Sequence, residues 1–198
     1  MPWYLDELGR NGEPDWYFED RESLPAAISR PHVIPDASLW PLRIRLRKPR
    51  KTLPEYTVGP SVGVVVVSTV FKNLVEAWDP VKHHFIPLEI RQPDGSLWDG
   101  EDRFMFKMGG FVEGGIIVEK SDVAPLILQG KLTHYMPTSQ SPRLTWNAGA
   151  IKGRHLWADI YLKSANVVSD EFYAELNELK IGSFLAIESR IDGETFAG

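Results

Sequence analysis

The chain has 198 residues, 43% hydrophobic and 25% charged, with no cysteine and a net charge of −5. A chain of this length and composition buries about 70% of its unfolded surface without a disulfide or metal, so a globular fold is expected and wholesale disorder is excluded. The missing cysteine excludes a disulfide framework, cysteine-ligated zinc, iron–sulfur clusters and a thiol nucleophile. The negative charge disfavours a whole-protein electrostatic hold on nucleic acid.

The chain opens Met1-Pro2-Trp3-Tyr4 and reaches Asp6 and Glu7 with no basic start and no apolar stretch. Its longest aliphatic run, Val64 to Val67, is far short of the roughly 20 apolar residues of a spanning helix. A cytoplasmic location and no membrane partner are therefore expected. Nine of the 15 prolines fall within residues 1–60, together with Trp3, Tyr4, Trp16, Tyr17, Phe18 and Trp40. Proline blocks helix interiors and aromatics seek burial. That combination predicts an irregular segment with a few short strands, draped on a main core at 61–191, all within a single 1–198 domain.

The Val62–Val67 run reads as a strand buried on both faces. Ser68 can cap a helix over 69–78, where Phe71, Leu74, Val75 and Trp78 give one apolar face and Asp79-Pro80 a stop. Residues 85–91 read as a strand and Pro93-Asp94-Gly95 as a turn. Strands are predicted at 104–108 and 116–119 around two Gly-Gly pairs, then a short helix near Leu126–Leu128. Further strands are predicted at 131–136, 143–147 and 155–162. Ser169 caps a last helix over about 170–179, followed by a strand at 184–190 and a loose tail from Asp192. The fold class is α+β: a mixed, mainly antiparallel sheet with a few short helices. Val66–Phe71 echoes Val167–Phe172, and each is followed by a similar strand (85–91 and 184–190). This is either a coincidence of common patterns or a recurring strand–helix–strand unit in one core.

Few motifs carry chemistry. Gly59-Pro60-Ser61-Val62-Gly63 matches G-x-S-x-G, but a nucleophile elbow needs a strand before the serine and a helix after it. Here Ser61 precedes the strand, so Ser61 is not expected to be a catalytic serine. His83 and His84 are adjacent and would point to opposite faces of a strand, which does not suit one metal ion. His32, His134 and His155 are isolated. No phosphate-loop spacing occurs around Gly130-Lys131 or the Gly-Gly pairs. No catalytic residue, metal ligand or cofactor is assigned.

The strongest electrostatic feature is the stretch from Arg43 to Lys51, six of whose nine residues are basic. On a strand, Arg43, Arg45 and Arg47 share one face while Leu42, Ile44 and Leu46 turn to the core. Four readings stand: a charged edge strand that discourages aggregation, a phosphate or RNA surface, a protein-binding surface, or a partner for an acidic surface within the chain. Acids are available. Residues 1–22 hold seven Asp/Glu against two Arg, and residues 170–194 hold seven against two Lys/Arg.

The Val-Val-Ser-x-x-Phe helix start with its Phe-Ile-Pro-Leu-Glu-Ile strand is one of three informative stretches. The others are His155–Asp159, and Ala165–Phe172 leading into Leu179–Phe184. Through them the C-terminal two thirds resembles immunity family eleven of bacterial polymorphic toxin systems; residues 1–55 are not covered. The resemblance implies stoichiometric binding and neutralisation of a cognate toxin protein encoded nearby, with no catalytic residues to carry over. Candidate partner-binding residues are then Asp170, Glu171 and Glu175, or Arg43, Arg45 and Arg47. The acidic set is preferred because a toxin that attacks nucleic acid would be basic. The alternatives are a small hydrolase-like enzyme without a recognisable motif, and a ligand- or nucleic-acid-binding module using residues 43–51.

Overall fold

The computed structural model describes residues 1–6, 14–25, 28, 33–61, 63–162, 166–182 and 185–193. Val62 and Phe184, expected to open two strands, lie outside the described residues, as do His32, Ala165 and the tail beyond Gly193. In chain order the elements begin with β1 (Trp3–Asp6), β2 (Trp16–Phe18), β3 (Leu42–Leu46), β4 (Tyr56–Val58), β5 (Val65–Ser68) and α1 (Thr69–Trp78). Then follow β6 (His84–Arg91), β7 (Arg103–Lys107), β8 (Phe111–Val112), β9 (Val123–Leu128), β10 (Lys131–Pro137) and β11 (Thr145–Trp146). The last are α2 (Ala148–Ile151), β12 (Leu156–Asp159), β13 (Asn166–Val168), α3 (Asp170–Glu178), β14 (Leu185–Glu188) and β15 (Arg190–Ile191). The class is α+β with mainly antiparallel pairing; among the described residues β3–β6, β8–β12 and β11–β15 are the parallel pairs.

The chain forms two compact units. The first comprises Met1–Asp6, Gly110–Glu175 and Leu185–Gly198; the second comprises Glu7–Gly109 and Leu176–Phe184.

In the second unit a six-stranded sheet runs in the order β2-β3-β6-β7-β5-β4. β5 is buried along its whole length, as a β-branched run covered on both faces should be. One face carries Trp16, Phe18, Leu42, Ile44, Leu46, Val66, Ile86, Ile90 and Met105 into a single apolar cluster. On the opposite face the Phe71 ring of α1 lies 5.2 Å from Tyr56 and 5.8 Å from Phe106. The Ser68 hydroxyl accepts the Phe71 N–H at 3.1 Å, which is the predicted cap.

In the first unit a five-stranded sheet runs in the order β14-β1-β13-β12-β8. Its apolar cluster joins Tyr4, Val112, Ile116, Leu144, Trp146, Ile151, Trp157, Leu162 and Val167. Trp146 and Trp157 meet edge to face at 5.9 Å. Asp159 is buried and accepts backbone N–H groups from Gly115 (2.8 Å), Ile116 (3.0 Å) and Tyr161 (2.8 Å). A Cβ on Gly115 would stand 3.2 Å from Val112 and 3.3 Å from that carboxylate, so this backbone approach suits glycine. Among the described residues, β9 and β10 pair only with each other, as a hairpin.

The sequence echo corresponds to a repeated topology. β7 is antiparallel to both β5 and β6 and sits between them; β1 does the same between β13 and β14. Each is a split strand–helix–strand unit with one strand inserted. β5 and β6 belong to the second unit, and β13 and β14 to the first.

Two expectations change. Residues 126–128 are strand, not helix: they end β9, and Gln129 (φ 52°) and Gly130 (φ 74°) turn the chain into β10. A two-residue loop with positive φ at both positions matches the strand twist and closes a hairpin. Predicted strand 116–119 is instead an isolated bridge at Ile116 and a 3₁₀ turn at Val118–Lys120.

Candidate functional site

The basic stretch forms an internal ladder. β3 lies between β2 and β6, so the edge-strand reading of Arg43–Arg47 is corrected. Ile44 and Leu46 are buried, and the arginines take the other face. Arg43 meets Asp20 at 2.6 Å, Arg45 meets Glu19 at 2.5 Å and Arg47 meets Asp15 at 3.2 Å. Register puts Arg45 opposite Arg91, and Glu19 also reaches Arg91 at 3.6 Å. Arg91 adds Glu89 at 2.7 Å, whose hydrogen bond and charge hold that guanidinium above its ordinary range. The Arg47 guanidinium lies 5.0 Å from the Tyr17 ring. Of the four readings, pairing with an acidic surface of the chain itself is the arrangement found. Asp15, Glu19 and Asp20 come from the acidic first 22 residues.

The acidic candidates open α3, whose start belongs to the first unit. The Ser169 hydroxyl accepts the Phe172 N–H at 3.2 Å and lies 3.0 Å from His155 Nδ1. Phe172 is fully buried, which anchors the helix. Asp170 and Glu171 are exposed and Glu175 is half-buried. Trp3 Nε1 donates to Asp170 at 2.9 Å, and the Trp3 ring stacks on Tyr173 at 4.3 Å. The Met1 amino group reaches Asp170 at 4.0 Å. The Glu171 carboxyl is lowered by its own backbone N–H and then by the Ser169 hydroxyl; burial opposes this and His155 adds to it. Carboxylates in a first turn are favoured by the helix dipole. Sequence reasoning found the Ser169 cap but not the His155–Ser169 contact, because 14 residues separate them and β12 and β13 bring them together.

The other candidates take structural positions. The Ser61 hydroxyl is buried with no hydrogen-bond partner among the described residues, and Ser61 lies between β4 and β5, so a strand and not a helix follows it. His83 is buried beside the buried Asp79, with Nε2 3.7 Å from Oδ1, while its Nδ1 accepts the Gly109 N–H at 3.2 Å. His84 is lowered by burial, then by Lys82 and His83. Among the described residues, no group of three or more His, Asp or Glu is placed to hold a metal ion. No helix among them is long and apolar enough to cross a membrane.

No curated protein matches the chain. The model of an immunity protein family, Imm11, matches residues 7–195. That span covers nearly the whole chain and extends the resemblance into residues 7–55, so the chain belongs to the Imm11 immunity protein family.

Proposed function

We propose that this protein neutralises a cognate toxin by binding it one to one in the cytoplasm, without turnover, and that Asp170, Glu171 and Glu175 face the toxin. The observation that carries the reading is the family match over residues 7–195. An inhibitor depends on fast, specific encounter, and a fixed charged patch steers encounter and rejects wrong partners. The exposed Asp170 and Glu171 on a capped helix suit that task, with the Glu171 carboxyl lowered and hence ionised at neutral pH. Arg43, Arg45 and Arg47 suit it less, because each already meets a carboxylate of β2 or its flanks. The test is co-expression with the adjacent toxin gene. Rescue of growth and co-purification are expected, and Asp170→Lys with Glu171→Lys and Glu175→Lys should slow association and change its salt dependence. A toxic neighbour that this chain neither rescues nor binds would end the proposal.

A second reading, a small hydrolase-like enzyme, has one supporting contact: Ser169 Oγ stands 3.0 Å from His155 Nδ1. The same oxygen already accepts the Phe172 N–H as a helix cap. A fluorophosphonate probe decides. Labelling that vanishes in Ser169→Ala favours the enzyme, and no labelling removes it.

A further inference from the structure

The β9–β10 hairpin has an unusual exterior. Near its root Val123 and Tyr135 pack against the apolar cluster of the first unit, and Tyr135 N–H donates to the Tyr161 carbonyl at 2.7 Å. Register puts Pro125, Ile127, Leu132 and Tyr135 on one face, and Leu126, Leu128, Lys131, His134 and Met136 on the other. Yet Ile127 is 59% exposed and Leu128 56%, and Leu132 and Met136 are exposed as well. The distal end is therefore apolar and open on both faces. An isolated two-stranded hairpin is marginal in water, and exposed apolar patches of this kind mark interaction surfaces. Soluble proteins usually guard such strands with charge; here Lys131 is the single formal charge between Val123 and Pro137.

Charge indicates the occupant. Residues 123–158 contain no Asp or Glu, in a chain that holds 27 of them, and they carry Lys131, Arg143, Lys152 and Arg154. Arg143 is paired with Asp122 at 2.9 Å, which leaves the hairpin's own Lys131 exposed at the tip beside Leu132. In a symmetric pair of copies the same patch meets itself, which sets Lys131 against like charge while two chains of −5 repel. A different protein with an apolar cleft rimmed by carboxylates is the complementary surface.

We propose that the tip of the β9–β10 hairpin, Ile127, Leu128, Lys131 and Leu132, is the apolar anchor that enters an acid-rimmed cleft on the toxin. This rests on the immunity reading and adds a contact that the α3 carboxylates do not supply. A few buried apolar residues dominate most protein interfaces, and rim charges set the encounter rate.

The test uses the full chain and the catalytically inactivated toxin domain encoded beside its gene, titrated by calorimetry. Ile127→Glu with Leu132→Glu is expected to weaken binding about 100-fold or more, as loss of a hot spot does. Lys131→Glu is expected to slow association about tenfold at low salt, with the difference fading at high salt. Should the double Glu variant lose its cooperative thermal transition, Ile127→Thr with Leu132→Thr preserves strand propensity and is expected to weaken binding about tenfold. Wild-type binding with folded hairpin variants equally tight overturns the hairpin proposal and leaves the immunity reading standing. Failure of the wild-type chain to bind overturns both. A wild-type dimer that the hairpin variants dissociate, with toxin affinity unchanged, assigns the surface to a second copy and also overturns it.

Discussion

Glu19 and Arg45 meet at 2.5 Å across the β2–β3 pair, and the same carboxylate reaches Arg91 at 3.6 Å. Arg45 and Arg91 are register partners on parallel strands, so Glu19 separates two like charges that the sheet forces together. Like charges directly opposite destabilise a sheet. Glu19→Gln is expected to cost about 1 kcal/mol in urea unfolding, with part of the loss recovered when Arg45→Gln is added. A double-mutant cycle with no coupling contradicts the ladder.

The arginines show how much the sequence revealed and where it stopped. Alternation in Leu42–Leu46 was enough to place Arg43 and Arg45 on one face and Ile44 in the core, as observed. Their partners were legible only as an acidic excess in residues 1–22, because pairing depends on which strand lies beside β3. Helices α1 and α3 were legible to within a residue, since Ser68 and Ser169 are local caps. Residues 126–128 misled because a short apolar run is ambiguous between helix and strand, and the Gln129-Gly130 turn is what decides it. β1 pairs with strands more than 160 residues away, which no local pattern encodes. In the candidate site the carboxylates of α3 were legible, but the His155–Ser169 contact and the exposure of the hairpin tip arise only from tertiary placement.

Asp159 accepts three backbone N–H groups, two from the loop after β8 (Gly115 and Ile116) and one from Tyr161. Asp159→Ala leaves them buried without an acceptor, and a loss of about 3 kcal/mol or more is expected. Hydrogen exchange at Gly115, Ile116 and Tyr161 should accelerate more than at β7. Unchanged exchange at those three amides contradicts the assignment.

Phe71 and Phe172 are both essentially fully buried, the first in the second unit and the second in the first. Phe71→Ala and Phe172→Ala are each expected to destabilise by about 3–5 kcal/mol. Thermal unfolding of each variant measures this, and a negligible shift for either would show that its helix is not anchored by that ring.

The cap of α3 makes a pH prediction. Glu171 is held below the usual glutamate value of 4.5, chiefly by its own backbone N–H and by the Ser169 hydroxyl. The unfolded chain therefore takes up this proton first on acidification. The stabilisation is complete above about pH 4.5 and is lost as pH falls through the lower folded value. Ser169→Ala should raise the Glu171 titration midpoint in carboxyl NMR and cost about 0.5–2 kcal/mol from the lost cap. An unmoved midpoint contradicts the role of the hydroxyl.

The most direct test of toxin neutralisation by binding is a titration of toxin activity against increasing amounts of this protein, with the toxin above its dissociation constant. The account predicts a linear fall to zero at one equivalent and recovery of unmodified, active toxin when the complex is separated. Complete inactivation at a small fraction of an equivalent, with a covalent change in the toxin by mass spectrometry, would contradict it.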